Sequence, residues 1–169
     1  MGCQTPNVKE ADMFIDSVNR IEPALRFMPD KTLLEKLPLP FYPDAVLLKM
    51  AKIDSFGDPL WYVHTPTETV AMDGSLANIH HLNDNAPLNL TQDNIYAYLK
   101  FRYYFGRKCQ IFEAQVKRSA VGFSGKVWEF KDGLFFEVDI NVTPRGIVVE
   151  LDRAAIPDVP AFSPGEFSL

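Results

Sequence analysis

Cysteine is scarce in this chain, and so are the signals that mark secreted and membrane proteins. Only Cys3 and Cys109 occur in 169 residues, too few for the disulfide framework of a small secreted domain, so we expect a reducing compartment. The first residues lack the basic and apolar regions of a secretion signal. No apolar run approaches the roughly 20 residues that span a bilayer. These absences predict a soluble, cytoplasmic protein without membrane contact.

Basic charge is also in deficit. Lysine and arginine number 17 against 22 acidic residues, which gives a net charge of −5 and a pI near 5.2. Because nucleic-acid binding needs clustered cations, we do not expect a nucleic-acid partner. Hydrophobic residues make up 47% of the chain, including 13 phenylalanines, which is enough for a ring-rich core. We predict a single domain over residues 1–169, with loose tails at 1–7 and 157–169.

Catalytic and metal-binding motifs are missing as well. The glycine-containing stretch at residues 122–125 lacks the Lys-Ser/Thr ending and the following helix of a phosphate loop. His80 and His81 are adjacent in a stretch with the composition of a loop, and neighbours in an extended segment point opposite ways. We therefore predict no metal site and no cofactor. Cys109 follows two basic residues, which favour a thiolate, but its place in a predicted strand indicates a buried thiol.

Residues 127–152 carry the clearest pattern in the chain. Apolar and polar residues alternate there, and two turns divide the run into three antiparallel strands. A further strand at 109–116 makes this a four-stranded meander. The apolar and aromatic spacing of residues 91–106 predicts a long aromatic helix, with Thr91 as its N-cap and Gly106 as its C-terminal stop.

The first half has weaker signals. They predict helices at 8–21 and 30–37, strands at 45–53, 60–65 and 69–72, and a loop at 74–90. The whole order predicts an α+β fold: a β-hairpin unit, the long helix, then the meander, with helices packed on one face of an antiparallel sheet. The helix followed by a meander resembles cystatin-like and NTF2-like architectures, a likeness of shape that implies no function.

The two turns of the meander set its register. A two-residue hairpin loop at Pro144-Arg145 would pair Ile140 with Val149 and Asp139 with Glu150. This predicts an apolar inner face and an acidic outer face. The predicted acidic face consists of Glu137, Asp139, Glu150 and Asp152. Opposed like charges cost a few tenths of a kcal/mol per pair, and Lys117, Arg118, Lys126 or Lys131, a divalent cation or a basic partner could compensate them. We favour a solvated acidic face that keeps the sheet soluble over a face that binds a cation or a basic partner.

The turn at Asp132-Gly133 allows two arrangements. A tight two-residue loop sends Glu129 inward, opposite Phe136. A three-residue loop with a bulge keeps Trp128, Phe130 and Phe136 on one face. We favour the second arrangement because it keeps a carboxylate out of the core.

The aromatic helix suggests a recognition surface. Its apolar residues run nearly all round, so it is either buried on more than one side or offers rings to a partner, including a second copy of the chain. A ligand is expected in the gap between this helix, the His80-His81 loop and the concave side of the sheet. The predicted ligand-binding residues are His80, His81, Tyr98, Arg102 and Tyr103.

Two functions follow from these patterns. The first is a binding or interaction module, without catalysis, for an unknown small molecule or protein. The alternative is a small pocketed enzyme, a hydrolase, isomerase or lyase. In that enzyme His64 or His80 would act as general base, oriented by Asp73 or Asp84.

Overall fold

The computed structural model describes residues 3–157 and residue 167, and this part of the chain contains three α-helices and eight strands. The chain divides into two compact units. The first comprises Met1–Leu39 and Pro43–Asp73, and the second comprises Pro40–Tyr42 and Gly74–Leu169. Each unit holds one four-stranded antiparallel sheet, which confirms the α+β class. The single domain and the packing of helices on one face stay predictions.

The first unit is built from one helix and a sheet with the order β1-β2-β3-β4. Its elements are α1 (Val8–Ile21), β1 (Thr32–Pro38), β2 (Val46–Lys52), β3 (Leu60–His64) and β4 (Thr69–Ala71). Asn7 and Glu10 form a capping box: the Asn7 side chain accepts from Glu10 N at 3.0 Å, and Glu10 Oε2 accepts from Asn7 N at 3.1 Å. The buried face of α1 joins the core of this sheet.

The helix predicted at 30–37 is wrong. A single 3-10 turn at Pro29–Lys31 leads directly into β1, which pairs with β2 along its whole length. The ladder of hydrogen bonds to β2 outweighs the helical spacing of the leucines. On the other side of β1, Gln4 and Lys36 exchange backbone hydrogen bonds of 2.9 and 2.8 Å, so this part of the predicted N-terminal tail is attached to the sheet. Residues 1–2, 158–166 and 168–169 of the predicted tails lie outside the described residues.

The second unit contains two helices and a sheet with the order β5-β6-β7-β8. Its elements are α2 (Leu76–Asn85), α3 (Ile95–Arg107), β5 (Gln110–Ser119), β6 (Gly122–Lys131), β7 (Leu134–Val142) and β8 (Val148–Ala155). The loop predicted at 74–90 is therefore wrong over most of its length. Ser75 caps α2 by accepting from Ala77 N at 3.2 Å, and burial of Ile79 and Leu82 stabilises the helix despite its asparagines.

The aromatic helix α3 is present, but both of its predicted end signals are displaced. Asn94 is the N-cap, and its side chain accepts from Thr91 N at 2.8 Å in the preceding turn. The helix ends at Arg107, and its C-cap Lys108 has a left-handed φ of 53°. Gly106 lies inside the helix, where a Cβ would be 2.6 Å from Leu76 Cδ2. The glycine therefore serves the close approach of α2 to α3 and does not act as a stop.

The β6–β7 turn takes the arrangement that we did not favour. Phe130 pairs with Phe135 and Glu129 pairs with Phe136, so Asp132-Gly133 forms the two-residue loop. Both loop residues have positive φ, 52° and 82°, as primed hairpin turns require. The three-residue loop is wrong, and the Glu129 side chain faces the interior.

The β7–β8 register also differs from the prediction. Val142 pairs with Val148 across a connection at residues 143–147, in place of the two-residue loop. This register pairs Ile140 with Glu150, and a bulge beyond that pair then places Asp139 opposite Asp152. The predicted pairs of Ile140 with Val149 and Asp139 with Glu150 are wrong. Ile140 is buried as expected, but Val149 is 46% exposed because the longer connection makes Asn141, and not Ile140, its partner.

Candidate functional site

The interior of the second unit holds an unusual number of charged and polar side chains. Arg102, Tyr103 and Arg107 lie on α3, and Cys109 lies just before β5. Glu129 on β6 is completely buried, and Arg102 is only 5% exposed. Glu150 and Arg153 on β8 complete the set, which we call the α3–sheet cluster.

Ion pairs join most of the α3–sheet cluster into a chain. Arg107 Nη1 pairs with Glu150 Oε1, and Glu150 Oε2 lies 3.8 Å from Arg153 Nη1. Arg153 Nη2 in turn pairs with the buried Glu129 Oε1. The Arg153 guanidinium lies 4.1 Å from the centre of the Phe136 ring, which adds a cation–π contact. Both carboxylates are thus compensated, as buried charges require.

The Cys109 thiol is held in its neutral form. Its sulfur lies 3.7 Å from the Tyr103 carbonyl oxygen and 3.7 Å from Glu129 Oε2. Burial first, and the Glu129 charge second, raise the pKa of Cys109 to about 12, against a smaller lowering by Arg107. The predicted buried thiol agrees with this environment, which gives Cys109 no nucleophilic character.

Arg102 differs from the other two arginines because no described carboxylate pairs with it, although its guanidinium carbon lies 5.9 Å from the centre of the Tyr103 ring. Among the described residues, its Nε and Nη1 atoms have no hydrogen-bond partner, and neither does Tyr103 Oη beside it. Burial lowers the pKa of Arg102 and raises the pKa of Tyr103 to about 12. The cluster therefore carries three guanidinium groups against two carboxylates, and it presents unpaired donors.

Tyr98 lies one helical turn before Arg102 and takes part in a separate chain of hydrogen bonds. Its hydroxyl donates to the Gly146 carbonyl at 2.7 Å and accepts from Asn83 Nδ2 at 2.8 Å. Asn83 Oδ1 accepts in turn from Tyr42 Oη. This buried chain ties α2 and α3 to the β7–β8 connection. A role for Tyr98 in ligand binding stays a prediction.

The structure does not bring all five predicted ligand residues together. His80 and His81 lie exposed on α2, whose other side is buried, whereas Arg102 and Tyr103 are buried. The His81 ring contacts Asn85, with Nδ1 and Nδ2 3.2 Å apart. The loop expected to present the two histidines is a helix, so the gap predicted beside it is not formed as we described it.

The residues of the alternative enzyme have other partners. His64 Nδ1 lies 2.8 Å from Thr69 Oγ1, its ring meets Phe14 edge-on, and burial lowers its pKa. Asp84 is exposed and pairs with Arg145 at 2.6 Å. Asp73 is exposed. No group of three or more histidines, cysteines or acids within the described ranges can hold a metal ion.

The predicted acidic face loses one member. Glu150 pairs with the buried Ile140 and lies on the α3 side of the sheet, because the longer connection shifts the register of β8, so its assignment to this face is wrong. Lys126 pairs with Glu137 and lies 3.8 Å from Asp139 Oδ1, and the hydrogen bond to Glu137 raises the pKa of Lys126. A lysine therefore compensates this face, as one of our expectations had it.

The aromatic surface of α3 is mostly buried. Phe41 packs against Tyr98 and Phe101, with both ring centres 5.3 Å away, and Phe167 lies 4.9 Å from Phe105. Tyr96, at 38% exposure, is the large apolar side chain of this helix that reaches solvent. Of the two alternatives for this helix, burial on several sides fits the structure. A homo-oligomer stays a prediction.

Sequence reasoning missed most of the α3–sheet cluster. The signal was present in Asp132-Gly133, a typical two-residue hairpin turn that places Glu129 inward.

Comparison with protein-family models, with curated proteins and with solved structures finds no match to this chain in any of the three. Of the helices in residues 3–157, none is long and apolar enough to cross a membrane.

Proposed function

We propose that this chain is a cytoplasmic binding module for a small anionic ligand, a carboxylate or a phosphate, held by Arg102. The observation that supports the proposal is the buried guanidinium of Arg102, whose Nε and Nη1 lack partners among the described residues. Leaving a buried charge uncompensated costs several kcal/mol. Binding sites typically carry such a cost while they are empty. A bound anion removes it by accepting hydrogen bonds from the guanidinium.

The neighbours of Arg102 favour binding over catalysis. Tyr103 Oη offers a second unpaired donor, and the raised pKa of Tyr103 keeps this phenol protonated at neutral pH. The Cys109 thiol is neutral for the same reason. Glu129 forms an ion pair with Arg153, and Glu150 forms one with Arg107. The cluster therefore offers hydrogen-bond donors to a ligand but no free carboxylate to act as general base. We therefore propose no catalysis at this site.

Thermal unfolding of Arg102→Met tests the proposal. Wild-type protein is titrated with acetate, citrate, phosphate and pyrophosphate at constant ionic strength. At about 100 times its Kd a ligand stabilises by roughly 2.7 kcal/mol, which raises the Tm of a chain of this size by about 5–10 °C. Arg102→Met should abolish the response. Without ligand it should unfold at an equal or higher temperature, because an uncompensated buried charge has been removed.

Arg20→Met is the matched control. Arg20 is an exposed arginine of α1, so the control removes the same charge from solvent. It should retain the full response to the anion. The proposal is contradicted if no anion stabilises the wild type, or if Arg102→Met responds as strongly as Arg20→Met.

A further inference from the structure

A cleft in the first unit is lined by cations, although the protein as a whole is acidic. Its volume is about 230 Å³, and its lining residues are Arg26, Met28, Lys31, Lys52, Asp54 and Ser55. Three cations thus face one carboxylate, which gives the cleft a local charge of about +2 against the net charge of −5 for the chain. We call this feature the basic cleft.

Sheet pairing holds two of the cations side by side. Lys52 is the last residue of β2 and pairs with Thr32, the first residue of β1, so Lys31 and Lys52 lie at the same end of the sheet. A hydrogen bond of 3.0 Å from Ile53 N to the Lys31 carbonyl extends this pairing by one step. The Lys52 ammonium also lies 5.8 Å from the centre of the Phe27 ring. Backbone pairing thus places the two lysines side by side, and the Phe27 ring adds a cation–π contact to Lys52.

A separate contact positions Arg26. Asn19 on α1 clamps the next residue, Phe27, by accepting from its N at 2.8 Å and donating to its carbonyl at 2.9 Å. Phe27 is buried, and Arg26 takes a left-handed φ of 48°. A residue other than glycine pays on the order of 1 kcal/mol for this conformation. The clamp therefore fixes the backbone next to Arg26, from which the third cation reaches the cleft.

None of these three cations has an ion-pair partner among the described residues. Asp54, which shares the cleft, forms no described ion pair with them. All three cations are exposed, so water solvates them, and an anion that enters the cleft is attracted by all three together. Ser55 adds a hydroxyl that can donate to the same anion.

We propose that the basic cleft binds a phosphate group. A phosphate monoester carries about −1.5 to −2 charges at neutral pH and three acceptor oxygens, which matches the charge of the cleft and its several separate donors. The shared chemistry allows two sources, a free phosphorylated molecule or a phosphate headgroup at a lipid surface. The site lies in the first unit and is independent of the ligand proposed at Arg102.

Titration of the isotope-labelled protein with inorganic phosphate, at constant ionic strength in chloride, tests the proposal by NMR. Saturable shifts are expected at the amides of Arg26, Lys31, Lys52 and Ser55. The double variant Lys31→Gln/Lys52→Gln removes two exposed contacts, which should weaken the affinity about tenfold. Both lysines are exposed, so the variant is expected to fold.

The matched control is Lys9→Gln/Lys117→Gln, which removes two exposed lysines elsewhere in the chain. This variant should bind phosphate as the wild type does. Phosphatidylcholine vesicles with and without phosphatidic acid separate the two sources, because binding only to the acidic vesicles assigns a lipid headgroup. Absence of saturable shifts with phosphate, or equal affinity in the two double variants, overturns the proposal.

Discussion

Replacing Arg153 by methionine removes the cation that compensates the buried carboxylate of Glu129. Methionine keeps most of the side-chain volume and the contact with Phe136, so the loss of charge dominates the change. The Glu129 side chain has no exposed surface and cannot recruit solvent without local opening. The variant therefore tests whether the ion-pair chain of the α3–sheet cluster stabilises the second unit.

The structure allows the size of the effect to be estimated. Breaking a buried ion pair by removing one partner costs about 3–5 kcal/mol. The Arg153 side chain is 28% exposed, so we expect the lower end, about 3 kcal/mol. That is a large share of the roughly 5–15 kcal/mol by which folded proteins are usually stable.

Urea unfolding followed by far-UV circular dichroism measures the change. With a urea dependence of about 2 kcal/mol per M, the midpoint should fall by about 1.5 M. Arg145→Met is the control, because Arg145 and Asp84 form an ion pair with side chains 73% and 54% exposed. Removing an exposed pair should cost less than about 1 kcal/mol.

A second variant shows whether the charge itself is responsible. Glu129→Leu combined with Arg153→Met removes both charges, and replacing a buried pair with apolar side chains is often neutral. We expect the double variant to recover most of the stability lost in Arg153→Met. The reasoning is refuted if Arg153→Met costs no more than Arg145→Met, or if removal of both charges costs as much as removal of one.

Two further predictions concern the same unit. Gly146→Ala should destabilise the protein by about 2 kcal/mol more than Gly133→Ala in the same urea assay. Both glycines have positive φ, but of the two only Gly146 would place a Cβ against another atom, 2.3 Å from Tyr98 Oη. Equal costs of the two substitutions would contradict this steric reason. Iodoacetamide at pH 8–9 should add one label to the native protein, at the exposed Cys3, since burial and a pKa raised to about 12 keep Cys109 a neutral thiol. The Cys109 thiolate, and with it the reaction, appears only as the pH approaches that pKa. An intact mass with two labels at pH 8 would therefore contradict the prediction, because it would show that the Cys109 thiol is accessible and reactive.

The strands of the second sheet were predictable because their signal is local. Alternation of apolar and polar residues has a period of two, and all four strands appear close to their predicted positions. The helix α2 was missed because its asparagines and histidines favour a loop, while burial of Ile79 and Leu82 against the rest of the unit favours a helix. Local propensity was the weaker of the two contributions.

The candidate site was predicted only in part, and the reason is register. Arg102 and Tyr103 were among the ligand-binding residues predicted on the aromatic helix. Glu129 was assigned to the outer face because a carboxylate in the core is costly without a partner. Its partner Arg153 comes from β8, and no local pattern links the two residues.

The amino-acid sequence by itself determined the α+β class, the antiparallel meander and the ring-rich helix, because periodicity and turn residues act over a few neighbouring positions. The tertiary structure decided which side of each strand is buried. The five-residue connection before β8 and one tight turn before β7 reverse the faces of Glu150 and Glu129, since a shift of one residue exchanges every side chain between the two sides of a sheet. Those two shifts brought the carboxylates to the arginines, and Arg102 was left with a charge that no described side chain balances.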